Sequence, residues 1–247
     1  MNDKDIYKAA KGIEYWFRFY QIVGKIGLLN EDSIKHPLVE YLIADGDDSL
    51  KNIKLEDNHP VFTSREVDLI SKESEKIKYC IEFKLAGKFT MEYRERQRIL
   101  DDIIRLYYVN KEHENANSYL IVAGKTKDFI TEFRSVYNRT PGKKGRPKKK
   151  TEDTPQPELI DPFGFFSEKW LSFNMAKPEV IINISKPIDA TYEGHYNNFK
   201  RSYFKNEHSS KVMPTTVKTV LKYITEITKE DVKGDIPAMV GIWQVHS

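Results

Sequence analysis

The chain has 247 residues, 39% hydrophobic and 31% charged, with a formal net charge of +3. That length is ample for a buried core in one large domain or two small ones, and the small net charge excludes a globally basic nucleic-acid coat, so a polyanion must meet local patches. A single cysteine, Cys80, allows no internal disulfide and fits a reducing compartment. The polar start Met1-Asn2-Asp3-Lys4-Asp5, with no later run approaching the roughly 20 apolar residues of a membrane span, leads to the expectation of a cytoplasmic protein with no membrane partner.

In chain order, residues 5–29 read as a helix, with Ile13, Trp16, Phe17, Tyr20 and Val23 at helical spacing, Ile22 widening the apolar face and Asn30 closing it. Residues 32–44 give a second helix, with Ile34, Leu38 and Leu42 facing inward and Pro37 tolerated near its start. The next two segments are strands. In Arg65-Glu66-Val67-Asp68-Leu69-Ile70, Val67 and Leu69 alternate with Glu66 and Asp68. In Tyr79-Cys80-Ile81-Glu82-Phe83-Lys84-Leu85, Ile81, Phe83 and Leu85 take one face, which sends Glu82 and Lys84 together to the other. Cys80 inside this strand reads as a small buried thiol. The polar run 71–76 reads as a hairpin connection, making the strands antiparallel neighbours about 4.7 to 4.9 Å apart. Asp68, Glu82 and Lys84 are therefore expected to converge.

Residues 90–110 form a long predicted helix, in which Gln97, Asp101 and Arg105 make one stripe and Ile99, Leu100, Ile103 and Leu106 supply apolar contact. Ion pairs between Asp101 and Arg105, and between Arg98 and Asp102, account for those charges without chemistry. Residues 118–123 make a continuous apolar strand, expected to be buried on both faces. The following Gly124-Lys125-Thr126 has the look of a phosphate loop, but Tyr119 stands where that pattern needs glycine, so no nucleotide site is expected. A helix over residues 128–137 completes an α/β arrangement around a mixed sheet.

Two carboxylates brought together repel, and a charge on a sheet face is costly to bury unless something neutralises it. A divalent cation does so. Mg²⁺ accepts oxygens from one or two carboxylates, completed by waters and a substrate phosphate, and stabilises the negative charge that develops in phosphodiester cleavage. The alternative is that Glu82 and Lys84 are ordinary solvated or cross-strand paired residues.

Asp68 followed by Glu82-Phe83-Lys84 on the next strand resembles the PD-(D/E)XK nucleases, over roughly residues 31–127. The proline that precedes the family's aspartate is replaced here by Val67. The resemblance implies a restriction-endonuclease-like mixed central sheet flanked by helices, with Asp68 and Glu82 as metal ligands, the carbonyl of Phe83 as a further ligand, and Lys84 orienting or activating water. It also implies an acid from a preceding helix, for which Glu40 is the candidate and Glu14 the reserve, and a glutamine on the long helix, Gln97, with Asp101 standing where relatives have tyrosine. Mg²⁺ is the implied cofactor, with Mn²⁺ as a substitute.

Residues 138–158 change character: Lys143, Lys144, Arg146, Lys148, Lys149 and Lys150 are interleaved with glycine and proline, a composition that forms no packed core. The Lys-Gly-Arg-Pro centre resembles an AT-hook, whose arginine suits the negative potential of a narrow A·T minor groove, although Lys144 stands where the usual hook has arginine. A charged linker or solvent-exposed loop that binds any polyanion is the favoured reading over specific A·T readout, and a nuclear import signal is a third. Residues 159–247 read as an α+β C-terminal extension. Residues 179–185 and 238–245 are strands, and residues 193–205 are a helix with Tyr196, Phe199 and Tyr203 inward and Lys200, Arg201 and Lys205 outward. Residues 218–228 are ambiguous, and the histidines show no zinc-ligand spacing.

The expected organisation is a nuclease-like core over 1–137, a basic linker or loop over 138–158, and the extension over 159–247. The expected function is Mg²⁺-dependent hydrolysis of DNA, in restriction or antiviral defence, with DNA and either a second copy or a defence protein as partners. A non-catalytic DNA-binding or assembly subunit and a ribonuclease stay open as alternatives.

Overall fold

A computed structural model of the protein describes residues 3–44, 52–86, 92–129, 171–184, 197, 199–204, 211–227 and 238–247. The basic segment containing Lys143 to Lys150 lies outside the described residues, as does most of the helix expected over 128–137.

Helix α1 (Asp3–Ile22) buries Ala9, Ala10, Ile13 and Phe17, which recur at the spacing of one helical face. It is shorter than its apolar pattern suggests. Gly24 adopts φ 67°, and the N–H groups of Gly24 and Lys25 donate to the carbonyls of Gln21 and Tyr20, a Schellman ending that only a left-handed residue permits. Val23, expected on the buried face, and Ile22, expected to widen it, are 44% and 70% exposed at this ending. Asn30 does not close α1; it opens α2 (Asp32–Ala44). Its Oδ1 accepts from the Ser33 N–H at 2.9 Å while Ser33 Oγ accepts from the Asn30 N–H at 3.1 Å, the reciprocal arrangement of a capping box.

Strand β1 (Asn52–Asn58), which is not among the expected elements, pairs antiparallel with β2 (Glu66–Glu73). β1 is an edge strand whose side chains are mostly exposed, so no core face imposes a legible alternation on it. β2 joins β3 (Lys76–Ala86) through only Ser74 and Glu75, at φ 48° and 66°, the two positive values of a type I′ hairpin. The connection is therefore tighter than the polar run 71–76 implies.

After α3 (Glu92–Glu112), β4 (Asn117–Lys125) pairs parallel with β3, and the short α4 (Thr126–Phe129) follows. β5 (Glu179–Asn183), β6 (Thr216–Ile227) and β7 (Ala238–His246) continue the same sheet, because β7 pairs antiparallel with β4 and β6 with β7. The ambiguous residues 218–228 thus lie in β6 up to Ile227. The result is an α/β fold with a seven-stranded mixed sheet in the order β1-β2-β3-β4-β7-β6-β5.

Apolar cores cover both faces of the sheet. Tyr119, Ile121 and Ala123 of β4 pack with α1 and α2, while Leu120 and Val122 pack with α3, so β4 is buried on both faces as its composition requires. Close packing recurs in β7, where a Cβ on Gly241 would lie 2.2 Å from the Trp243 ring. Glycine lets the buried indole lie against the strand, and its Nε1 donates to the Ser172 carbonyl at 2.7 Å. Phe199 enters the α3-side core, while Lys200 and Arg201 stay exposed. Among the described residues, no helix is long and apolar enough to cross a membrane.

Candidate functional site

On the α3 side of β3, the inward row runs Cys80, Glu82, Lys84, Ala86, so two charged residues occupy positions where the neighbouring strand places Leu120 and Val122. Glu82 is 2% exposed and Lys84 6%. Burial of this kind costs several kcal/mol per ion unless partners answer it, and the surrounding elements supply them.

The β2–β3 ladder ends at Leu69 opposite Ile81, which leaves the polar groups of Phe83 without a strand partner on that side. Phe83 N–H donates to Asp68 Oδ2 at 2.7 Å, and the Phe83 carbonyl accepts from Lys84 Nζ at 2.8 Å. A carboxylate and an ammonium thus take over the hydrogen bonds that a continuing ladder would have made. The pocket opens at this gap.

α3 brings Arg98, Asp101, Asp102 and Arg105 to the same pocket. Their spacing, i, i+3, i+4 and i+7, is that of a core-facing stripe written in charge. Asp102 and Arg105 are 3% and 8% exposed, so they are not a solvent-facing ladder. Arg105 lies 3.0 Å from Glu82 Oε1, contacts Asp102 closely, and donates to the Glu66 carbonyl at 2.9 Å. Lys84 Nζ lies 2.7 Å from Asp102 Oδ2 and 3.8 Å from Glu31. From α2, the buried Lys35 reaches Asp68 at 2.9 Å and Glu56 at 3.1 Å.

The pocket, of about 480 Å³, is lined by six acids (Glu31, Glu66, Asp68, Glu82, Asp101, Asp102) and four cations (Arg65, Lys84, Arg98, Arg105), with Ser202 and Tyr203. Lys35, paired with Asp68, stands beside them as a further cation. Burial pushes the Glu82 carboxyl well above the usual carboxylate range, with Arg105 opposing and Asp102 reinforcing the shift. Burial, together with the charge of Asp102, pushes Asp101 up to about 8. Asp68 moves the other way: burial raises it, but the Lys84 charge, the Phe83 N–H and Lys35 outweigh burial and hold it low. Lys84 remains an ammonium ion, because Asp102, Glu82, Asp68 and Glu31 more than offset its desolvation. It can therefore orient an anion or a water, but it is no neutral base.

Asp68, Glu82 and Lys84 line one pocket, and the polar groups of Phe83 engage two of them. Glu40 does not join them; it is exposed on α2. Glu14 is buried on α1, bonded to Lys11 and to the Tyr223 hydroxyl. Gln97 lies on α3, with its side chain outside the described residues. The residues the sequence reading missed are Glu31, Lys35 and the inward roles of Asp102 and Arg105. Two signals were available: Lys35 shares a helical face with Leu38 and Leu42, and the α3 charges follow the core-facing period.

The donor set suits a hard cation, since it is carboxylate and carbonyl oxygen; Glu82 Oε1 and Asp102 Oδ2 are met by the charges of Arg105 and Lys84, while the buried Asp101 Oδ1 accepts no hydrogen bond. No group of three or more His, Cys, Asp or Glu side chains among the described residues is arranged to hold a metal ion, however. Asp68 and Glu82 face Lys35 and Arg105 instead. No family model, curated protein or solved structure matches this chain.

Proposed function

We propose that this chain is a divalent-metal-dependent nuclease with a restriction-endonuclease-like core, hydrolysing phosphodiester bonds in DNA. One observation carries the reading: Asp68, Glu82 and Lys84 line one pocket at the point where β2 stops pairing with β3, with the backbone of Phe83 bonded to Asp68 and Lys84. The carboxylate and carbonyl oxygens of Asp68, Glu82 and Phe83 support it, because Mg²⁺ or Mn²⁺ takes oxygen ligands of this kind. When bound by Asp68, Glu82 and the Phe83 carbonyl, the metal would supply Lewis-acid stabilisation of the charge on the reacting phosphate. The protein's own contribution is positional. Asp102 and Glu31 hold Lys84 charged beside the Phe83 carbonyl, Arg105 keeps Glu82 directed inward, and the apolar cores above and below fix all of them.

The test is cleavage of supercoiled plasmid DNA, with a matched RNA in parallel, in Mg²⁺ or Mn²⁺ by wild type, Asp68→Ala and Lys84→Ala. Loss of at least about 10²-fold in both variants is expected. Equal activity in all three overturns the assignment, and preferential RNA cleavage makes the enzyme a ribonuclease. One observation favours a second reading, a non-catalytic DNA-binding or assembly subunit: the Lys35–Asp68 and Arg105–Glu82 pairs already neutralise the two acids from within. Binding unaffected by EDTA and accompanied by no cleavage would select it.

A further inference from the structure

The cations at the base of the pocket are already committed: Lys35 faces Asp68, Arg105 faces Glu82 and Lys84 faces Asp102. A nucleic-acid backbone therefore needs a further cation, nearer the mouth, to hold the strand. Arg65 is placed for this. It immediately precedes β2, lines the same pocket as Asp68, and is exposed. Its guanidinium carbon sits 5.0 Å from the centre of the Tyr203 ring.

Both supports of this arginine are rigid. Tyr203 stacks on Phe199 at 4.2 Å and 14° and meets Phe62 edge-on at 5.5 Å, and Phe62 and Phe199 are core residues. The loop before β2 is tied to itself. His59 N–H donates to the Arg65 carbonyl at 2.7 Å, Arg65 N–H donates to the Phe62 carbonyl at 2.8 Å, and the buried His59 Nδ1 accepts from the N–H groups of Val61 and Phe62. An arginine free in solvent gives up much of its rotamer freedom when fixed on a ligand. Stacking on Tyr203 settles much of that cost before any ligand arrives.

We propose that Arg65 is a phosphate-positioning residue: its guanidinium takes a backbone phosphate of the nucleic-acid strand at the pocket mouth, with Tyr203 holding it in place. The planar fork of arginine matches two phosphate oxygens, and the opposite face of the guanidinium lies on the ring. This inference rests on the nuclease reading for its substrate class only, since the phosphate contact does not require turnover.

The experiment measures binding of a labelled DNA duplex and a labelled RNA by fluorescence anisotropy in EDTA, across a salt series. Wild type, Arg65→Ala, Arg65→Lys and Tyr203→Ala are compared, with circular dichroism as the check on folding. Arg65→Ala is expected to weaken binding about tenfold at low salt and to make the slope of log affinity against log salt shallower by about 0.9, the share of one phosphate. Arg65→Lys restores the slope but only part of the affinity, and Tyr203→Ala weakens binding with the slope retained. If the protein cleaves, Arg65→Ala raises KM with kcat little changed. A folded Arg65→Ala protein with an unchanged salt slope overturns the proposal, as does a wild type that binds neither nucleic acid. Arg65-dependent binding in EDTA, with no cleavage of either nucleic acid once Mg²⁺ or Mn²⁺ is supplied, overturns the nuclease reading alone.

Discussion

Asp101 offers the sharpest test of the electrostatics. Its carboxyl is raised from 3.8 to about 8 by burial and by Asp102, and its Oδ1 has no hydrogen-bond donor. In the unfolded chain it titrates near about 3.9. Below that value both states hold the proton and stability is unaffected. Between the two values the folded state keeps a proton that the unfolded state has lost, so stability falls as pH rises and levels off above about 8. At 1.36 kcal/mol per unit, the shift sets an upper bound of about 6 kcal/mol. Asp101 is only half-buried in a pocket open to water, where the effective dielectric is nearer about 20 than 4, and the expected effect is about 2 kcal/mol. Asp101→Asn copies the protonated form. Urea denaturation should therefore show the variant level with wild type near about pH 4 and about 2 kcal/mol more stable near about pH 8.5, a melting shift of roughly 4–8 °C for a chain of this size. A stability difference that does not change between those conditions, or a variant that is weaker at the higher pH, refutes the argument.

Lys35→Met removes the ammonium that Asp68 faces at 2.9 Å and should cost about 1–3 kcal/mol at neutral pH in chemical denaturation. Because Asp68 is held low in the folded state, the stability it contributes is present above its unfolded value and is lost as pH falls through the folded one, so the difference from wild type should narrow in acid. Gly241→Ala forces a methyl group to within 2.2 Å of the Trp243 ring and should cost about 1–3 kcal/mol, read by denaturant midpoint and by a change in tryptophan emission. Glu75→Gly relieves a side chain at φ 66° in the β2–β3 turn and should stabilise by about 0.5–1 kcal/mol, provided the flanking pairing is unchanged by NMR.

Much of the local structure was legible. The alternation of β3 places Glu82 and Lys84 on one face, the continuous apolar run of β4 implies burial on both sides, and the apolar stripe of α2 marks its observed extent even though its cap, Asn30, reads as the close of α1. The local signals mislead where one rule competes with another. Gly24 stops α1 although the apolar pattern runs on, and β1 lies at an edge where no core sorts its residues. The α3 charges satisfied an ion-pair ladder as well as a buried stripe, and nothing in the helix itself chooses between them.

The sequence alone determined which residues share a face, since periods of 2 and 3.6 are properties of the backbone. It therefore brought Asp68, Glu82 and Lys84 toward one another before any packing was known. Only the tertiary structure decided that α3 lays Asp102 and Arg105 across β3, that α2 sends Lys35 to Asp68, and that Glu31 rather than Glu40 reaches the pocket. Those pairings join elements distant in sequence, and each depends on how helices seat on a sheet whose opposite edge is built from the last third of the chain.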